Sequence, residues 1–326
     1  STIVYSGTSK QTVTPLTYAN LVIDNSSELS LSGATTVRRR LDVRNGILKT
    51  TTHGLFLGTD ALIDESGSGR IIGEVAATRV LKPGLRESFG NLGIEIQAEG
   101  IPQSEVRVTR VTGRASGLSA AFPILRYFVL DPCAPMRNAR VWFHYAPSDI
   151  DGLIKSRFEL FGSNDGGSEW RRLGGVVDTL SNVVIFAGDC SYSKLVVAEP
   201  FPVPTITGIE PSFAEHGSSV SLKISGSGFL GGSPVVSFSG AGVGITSLTV
   251  LGSAGMTANV IVGEEAPLGS RDIRIVTLGG VSVFSGLFEV VKKRNPLPML
   301  SSLAPPSGER LQSVLVTLHG SGFVPG

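Results

Sequence analysis

Nowhere in the 326 residues do apolar side chains return at helical spacing for several turns, which excludes helical bundles and doubly wound α/β folds. Charge is scarce. Asp, Glu, Lys and Arg make up 17% of the chain and balance to +1, whereas a disordered chain needs the opposite composition and a polyanion binder needs an excess of positive charge. Histidine occurs four times, and His53, His144, His216 and His319 fall in separate segments without metal-ligand spacing or a zinc-protease motif. Long hydrophobic runs are missing too. The longest stretch without charge, Ile224 to Gly263, holds ten glycines and alternating apolar residues, not the ~20 unbroken apolar positions of a spanning helix. No serine sits in a nucleophile elbow with a helix to receive it, and Gly226 to Gly232 has no following Lys to complete a phosphate loop. These gaps point to a non-enzymatic chain with no cofactor, no metal site and no membrane span.

What the chain does have is short alternating runs separated by Gly, Pro, Asn and Asp, among them 106–108, 139–145, 183–186 and 271–277. The expected fold is all-β, and any helices are single turns. Residues 1–80 carry apolar pairs (Leu21-Ile23, Leu29-Leu31, Leu41-Val43, Leu55-Leu57, Leu62-Ile63) at steps of about 7 to 14, which suits a small β-solenoid or an open sheet.

The sharpest signal is an internal repeat. Residues 205–232 align without a gap on 299–326, an offset of 94, with Gly226-Ser227-Gly228-Phe229 repeated as Gly320-Ser321-Gly322-Phe323 and Pro211 as Pro305. The lead strand, the Pro turn, the alternating Val220-Leu222-Ile224 and the Gly-Ser-Gly-Phe turn together resemble the IPT/TIG domain. That resemblance implies an immunoglobulin-like β-sandwich over 202–291 and the opening of a second, incomplete copy over 297–326. Between the two, Lys292 to Pro298 reads as a charged, Pro-stiffened linker. Upstream, 81–199 is similar to β-sandwich regions of large secreted proteins of Bacteroidetes-like bacteria that use the type IX pathway. The residues that carry this likeness are Glu87 to Ile94, Arg107 to Gly113, Ile124 to Phe128, and Ser163 to Trp170 with Leu173-Gly174-Gly175. The sorting domain expected of such cargo is absent from these residues. Tyr18 to Asn25 also looks like the rungs of bacterial adhesins.

Within the second segment, Ser163, Asp165, Gly167 and Trp170 resemble the Asp-box of sialidases. In those families the box is a structural hairpin turn and not an active-site element. Asp149-Ile150-Asp151-Gly152 fits either a Ca²⁺-binding turn or a bare Asx turn. Cys133 and Cys190 form a disulfide if the chain matures in an oxidising space, or else remain two buried thiols. Arginines outnumber lysines 20 to 8, yet strand alternation sends Arg107 and Arg110 to opposite faces. The 202–291 module carries net charge −3, the wrong sign for a nucleic-acid partner.

The expected role is that of a secreted, extracellular or cell-surface bacterial protein, a stalk, adhesin or filament subunit built of tandem modules. Its partners would be a surface glycan or protein, and copies of itself through strand addition at 297–326 if the natural chain does not continue with the rest of a second module. The alternative is a carbohydrate-binding accessory region of a larger secreted hydrolase, with Trp142 and Trp170 as the available aromatics. Trp142 itself is expected on the second covered face of a central strand whose other face holds Val141, Phe143 and Tyr145.

Overall fold

The computed structural model describes all residues except 66, 101–103, 133–134, 231, 296 and 325–326, and the side chains of 51, 52 and 104. The chain divides into two compact units, Ser1–Phe201 and Pro202–Gly326. Both are all-β. Among the described residues the only helical segments are two 3₁₀ turns, Pro147–Asp149 and Lys155–Arg157, and no helix is long and apolar enough to cross a membrane.

The first unit opens as a parallel ladder. Strands β1 (Thr2–Gly7) and β2 (Gln11–Val13) lie parallel on β3 (Thr17–Leu31), and β3 lies parallel on β4 (Thr35–Leu57). In turn β4 carries β5 (Leu62–Asp64) and β6 (Arg70–Leu81), also parallel. Register stacks Leu21 on Leu41 on Ile63, and Leu29 on Leu48 on Ile71. Like residues stack on like, so each rung buries its apolar side chains against the next, and all six are buried. The region is solenoid-like, with rungs of about 20 residues. The steps of 7 to 14 between apolar pairs measure positions within a rung, which is why the rung length stays hidden in the sequence.

At β6 the ladder changes direction. The antiparallel strands that follow it in the same sheet are β8 (Ser104–Thr112), β9 (Ala121–Asp131), β15 (Lys194–Pro200), β11 (Glu159–Ser163) and β12 (Arg171–Gly174). A second sheet contains, in spatial order, β13 (Val176–Asp178), β14 (Val183–Cys190), β10 (Met136–His144) and β7 (Ile94–Gln97). Their inward residues close a sandwich, with the Phe128 and Phe143 rings meeting edge to face at 4.9 Å. One apolar core runs from Val13 to Val197. Segments 1–80 and 81–199, expected as separate domains, therefore share one sheet and one core, because β6 has hydrogen-bonded neighbours on both sides.

The second unit contains a complete two-sheet sandwich and a hairpin. One sheet is ordered β16 (Thr205–Glu210), β18 (Ser219–Ser227), β21 (Gly255–Val262), β20 (Val243–Gly252). The other is ordered β17 (Phe213–Glu215), β23 (Gly280–Val291), β22 (Gly269–Thr277), β19 (Val235–Phe238). Leu222, Ile224, Phe229, Ile273, Ile275 and Phe288 make up much of its core. The hairpin is β24 (Met299–Ala304) with β25 (Thr317–Ser321).

The repeat is physical as well as textual. Thr205 pairs with Ser227 and Ile206 with Gly226, then a bulge intervenes before Gly208; Met299 pairs with Ser321 and Leu300 with Gly320, and a bulge intervenes before Ser302. A Cβ on Gly226 would lie 1.8 Å from the Thr205 carbonyl oxygen, and one on Gly320 would lie 2.0 Å from that of Met299. Only glycine lets the two strands approach so closely.

Candidate functional site

Alternation along β8 buries Val106 and Val108, and the next inward position is Arg110. On neighbouring β9 the inward series is Ile124, Arg126, Phe128 and Leu130. Thr112 pairs with Arg126 and Arg110 with Phe128, so two guanidiniums arise side by side from the wall of an otherwise apolar sheet. Each requires an anion to offset its desolvation.

Loops supply both anions. Glu65, just after β5, meets Arg110 in two parallel bonds, Nη1 to Oε2 at 2.6 Å and Nη2 to Oε1 at 3.1 Å, and also accepts the Ile71 N–H at 2.8 Å. Burial raises the Glu65 pKa, but Arg110, Arg126 and the Ile71 N–H outweigh it and hold the carboxyl below its ordinary range. It is thus ionised at neutral pH, an acceptor and not a proton donor. Asp149 ends the 3₁₀ turn Pro147–Asp149, accepts the Ala146 N–H at 2.8 Å and lies 3.0 Å from Arg126 Nε. Burial, helped by neighbouring Arg110, lowers the Arg126 pKa to about 10, while Asp149 and Glu65 pull it back up. Arg126 therefore stays charged at neutral pH.

These groups line an open cleft of about 1010 Å³. One wall is the loop ending at Gly69, held against β4 by Ser68 and Gly69 N–H bonds to the Arg44 carbonyl. A Cβ at Gly67 would come within 2.3 Å of that same carbonyl, so the wall is formed by backbone lying on backbone. Arg40 pairs with Asp64 on the cleft's flank, and Arg70, Asn91, Thr112 and Ser148 complete its polar surface.

Of the residues singled out from sequence, Arg110, His144, Tyr145 and Asp149 line the cleft, and most of the others lie elsewhere. His144 lines the cleft and its Nε2 is 2.8 Å from Glu95 Oε1. His216 bonds the Ala266 carbonyl, and His319 is exposed. Asp149 and Asp151 each face a different arginine, Arg126 and Arg114. In the Asp-box-like turn, Ser163 Oγ donates to Asp165 Oδ1 at 2.8 Å and accepts the Gly167 N–H at 3.0 Å. Asp165 Oδ1 also accepts the N–H groups of Ser168 and Glu169, and the Glu169 N–H is the chief cause of its lowered pKa. Gly167 takes φ of +99°, and Trp170 Nε1 donates to the Ser116 and Gly167 carbonyls. All four residues serve the turn itself. Cys190 is buried and pairs in register with Met136; Cys133 lies outside the described residues.

Trp142 departs from expectation. β10 is central, paired with β14 and β7, and Phe143 is fully buried, but Trp142 on the other face is only half-buried. Its cover is the Arg86 guanidinium, 4.0 Å from the ring centroid. Its cross-strand neighbours are Glu95 on one side and Ile185 on the other, and Glu95 is paired with Arg86 and His144. The cleft's own signal was available in the sequence as the inward phase of Arg110 and Arg126, but it is visible only once the strands are in register. No family model matches this chain, and no curated protein matches it.

Proposed function

We propose that this chain is a non-enzymatic, secreted bacterial surface protein in which the second unit is an IPT/TIG-like spacer and the first unit makes surface contact. The observation that carries the reading is the second unit's hairpin, which repeats the register, the bulge and the glycine contacts of the complete sandwich's opening hairpin. Tandem duplication of a module is how extended stalks gain length. Antibody labelling of intact cells of the producing bacterium, together with small-angle scattering of the purified protein, tests it. Labelled cells and an elongated particle are expected; labelling only after permeabilisation, or a particle as compact as a sphere of the same mass, overturns it.

A second reading, a carbohydrate-binding accessory region of a larger secreted hydrolase, is favoured by the polar cleft. An aromatic platform does not favour it, because Trp170 is tied into its turn and Trp142 lies under Arg86.

A further inference from the structure

We infer that the cleft of the first unit binds an acidic saccharide, a chain of sugar rings bearing carboxylates. The inference deepens the surface-contact half of the proposed function, and its failure would leave the spacer half standing.

Charge bookkeeping of the lining carries it. Four guanidiniums face three carboxylates among the described residues. Arg40 pairs with Asp64, Arg110 with Glu65 and Arg126 with Asp149. Arg70 is left over, exposed at the rim with no acidic partner among the described residues. Arg126 contributes further donors: its ion pair runs through Nε, and its terminal nitrogens have no hydrogen-bond partner among the described residues. A guanidinium with an open pair of N–H groups is built for a planar carboxylate.

Size and polarity define the rest of the ligand. About 1010 Å³ is at the upper end of organic ligand sites and far exceeds an inorganic anion. Asp64 and Asp149 would repel a densely charged polyphosphate but accept hydrogen bonds from sugar hydroxyls. Asn91 and Ser148 both donate and accept, as vicinal hydroxyls require, and the Thr112 hydroxyl, which donates to the Ile71 carbonyl at 3.2 Å, still accepts. A ligand with one negative charge per ring and several hydroxyls satisfies both demands; a nucleic acid, charged at every phosphate and poor in hydroxyls, does not.

Titration calorimetry on the full 326-residue chain tests this with a panel of uronate trisaccharides (galacturonate, glucuronate, mannuronate) and their methyl esters, which keep the hydroxyls and lose the charge. At least one acid should bind ten or more times tighter than its ester. Arg70→Gln should abolish that preference while leaving the melting temperature unchanged, because the exposed Arg70 side chain has no partner to lose among the described residues. Arg126→Lys keeps the charge beside Asp149 but removes the fork, and should weaken the acid about tenfold. Equal affinity for acid and ester, an unaltered preference in Arg70→Gln, or no binding anywhere in the panel by folded protein overturns the inference.

Discussion

Arg110 and Glu65, 45 residues apart in sequence, meet in a two-pronged ion pair at the end of the apolar stripe begun by Val106 and Val108. Breaking a buried pair costs more than replacing it, since the survivor is left charged and desolvated. Glu65→Leu or Arg110→Met alone should destabilise the first unit by about 3 to 5 kcal/mol, and the double change Glu65→Leu/Arg110→Met should cost less than either single change. Urea titrations of the four proteins measure the coupling; simple additivity would mean that the pair is energetically silent.

The same carboxylate makes the first unit sensitive to acid. Because the Glu65 pKa is lower in the folded state than in the unfolded chain, the unfolded state binds the proton first as pH falls. The Glu65 contribution to stability is therefore complete above the ordinary carboxylate range, about 4.3, and is lost as pH falls through the lower folded value. Urea midpoints recorded from pH 7 down to pH 3 should fall more steeply for the native chain than for Glu65→Gln.

Phe143 and Trp142 are neighbours on β10 with opposite surroundings. Phe143 is fully buried against Phe128, so Phe143→Ala should cost about 3 to 5 kcal/mol. Trp142 has a cation over one face and is half-buried, and Trp142→Ala should cost under about 2 kcal/mol. Equal losses in chemical denaturation would contradict the one-sided burial of the strand.

Two glycines of one hairpin make a controlled comparison. A methyl on Gly226 collides with the Thr205 carbonyl, which belongs to the paired backbone and cannot yield, whereas a methyl on Gly208 meets nothing within 4 Å. Gly226→Ala should lower the melting temperature of the second unit by several degrees, and Gly208→Ala should shift stability by less than about 0.5 kcal/mol. Scanning calorimetry separates the two.

Leu222, Ile224 and Phe229 are fully buried in the complete sandwich, while their counterparts Val316, Leu318 and Phe323 are 45%, 55% and 50% exposed. Expressed as these 326 residues, the chain should self-associate through that face. In sedimentation velocity, Val316→Lys/Leu318→Lys should raise the monomer fraction; a native chain that stays monomeric at high concentration would count against strand addition at 297–326.

Much of the architecture is legible in the linear chain because it depends on local pattern. The 94-residue offset gives the repeated hairpin, and the alternation around Val106 and Phe143 gives strands and their inward faces. What escapes is whatever depends on register between strands. The pairs that hold Leu21, Leu41 and Ile63 suggest a solenoid or an open sheet, but only parallel pairing shows that these three stack one on another. Arg110 and Arg126 look like two of many surface arginines until the inward phase of β8 and β9 buries them together, and Glu65 and Asp149 reach them from loops that carry no periodicity.

The double allegiance of β6, parallel to β4 on one edge and antiparallel to β8 on the other, determines how this protein can be cut and recombined. A break after Leu81 would strip the sandwich of an edge partner and the ladder of its cap, exposing two unsatisfied strand edges at once. Gene fusions, truncations and domain swaps should therefore be designed around the joint at Phe201 and Pro202, with the first 201 residues transplanted as one indivisible cassette.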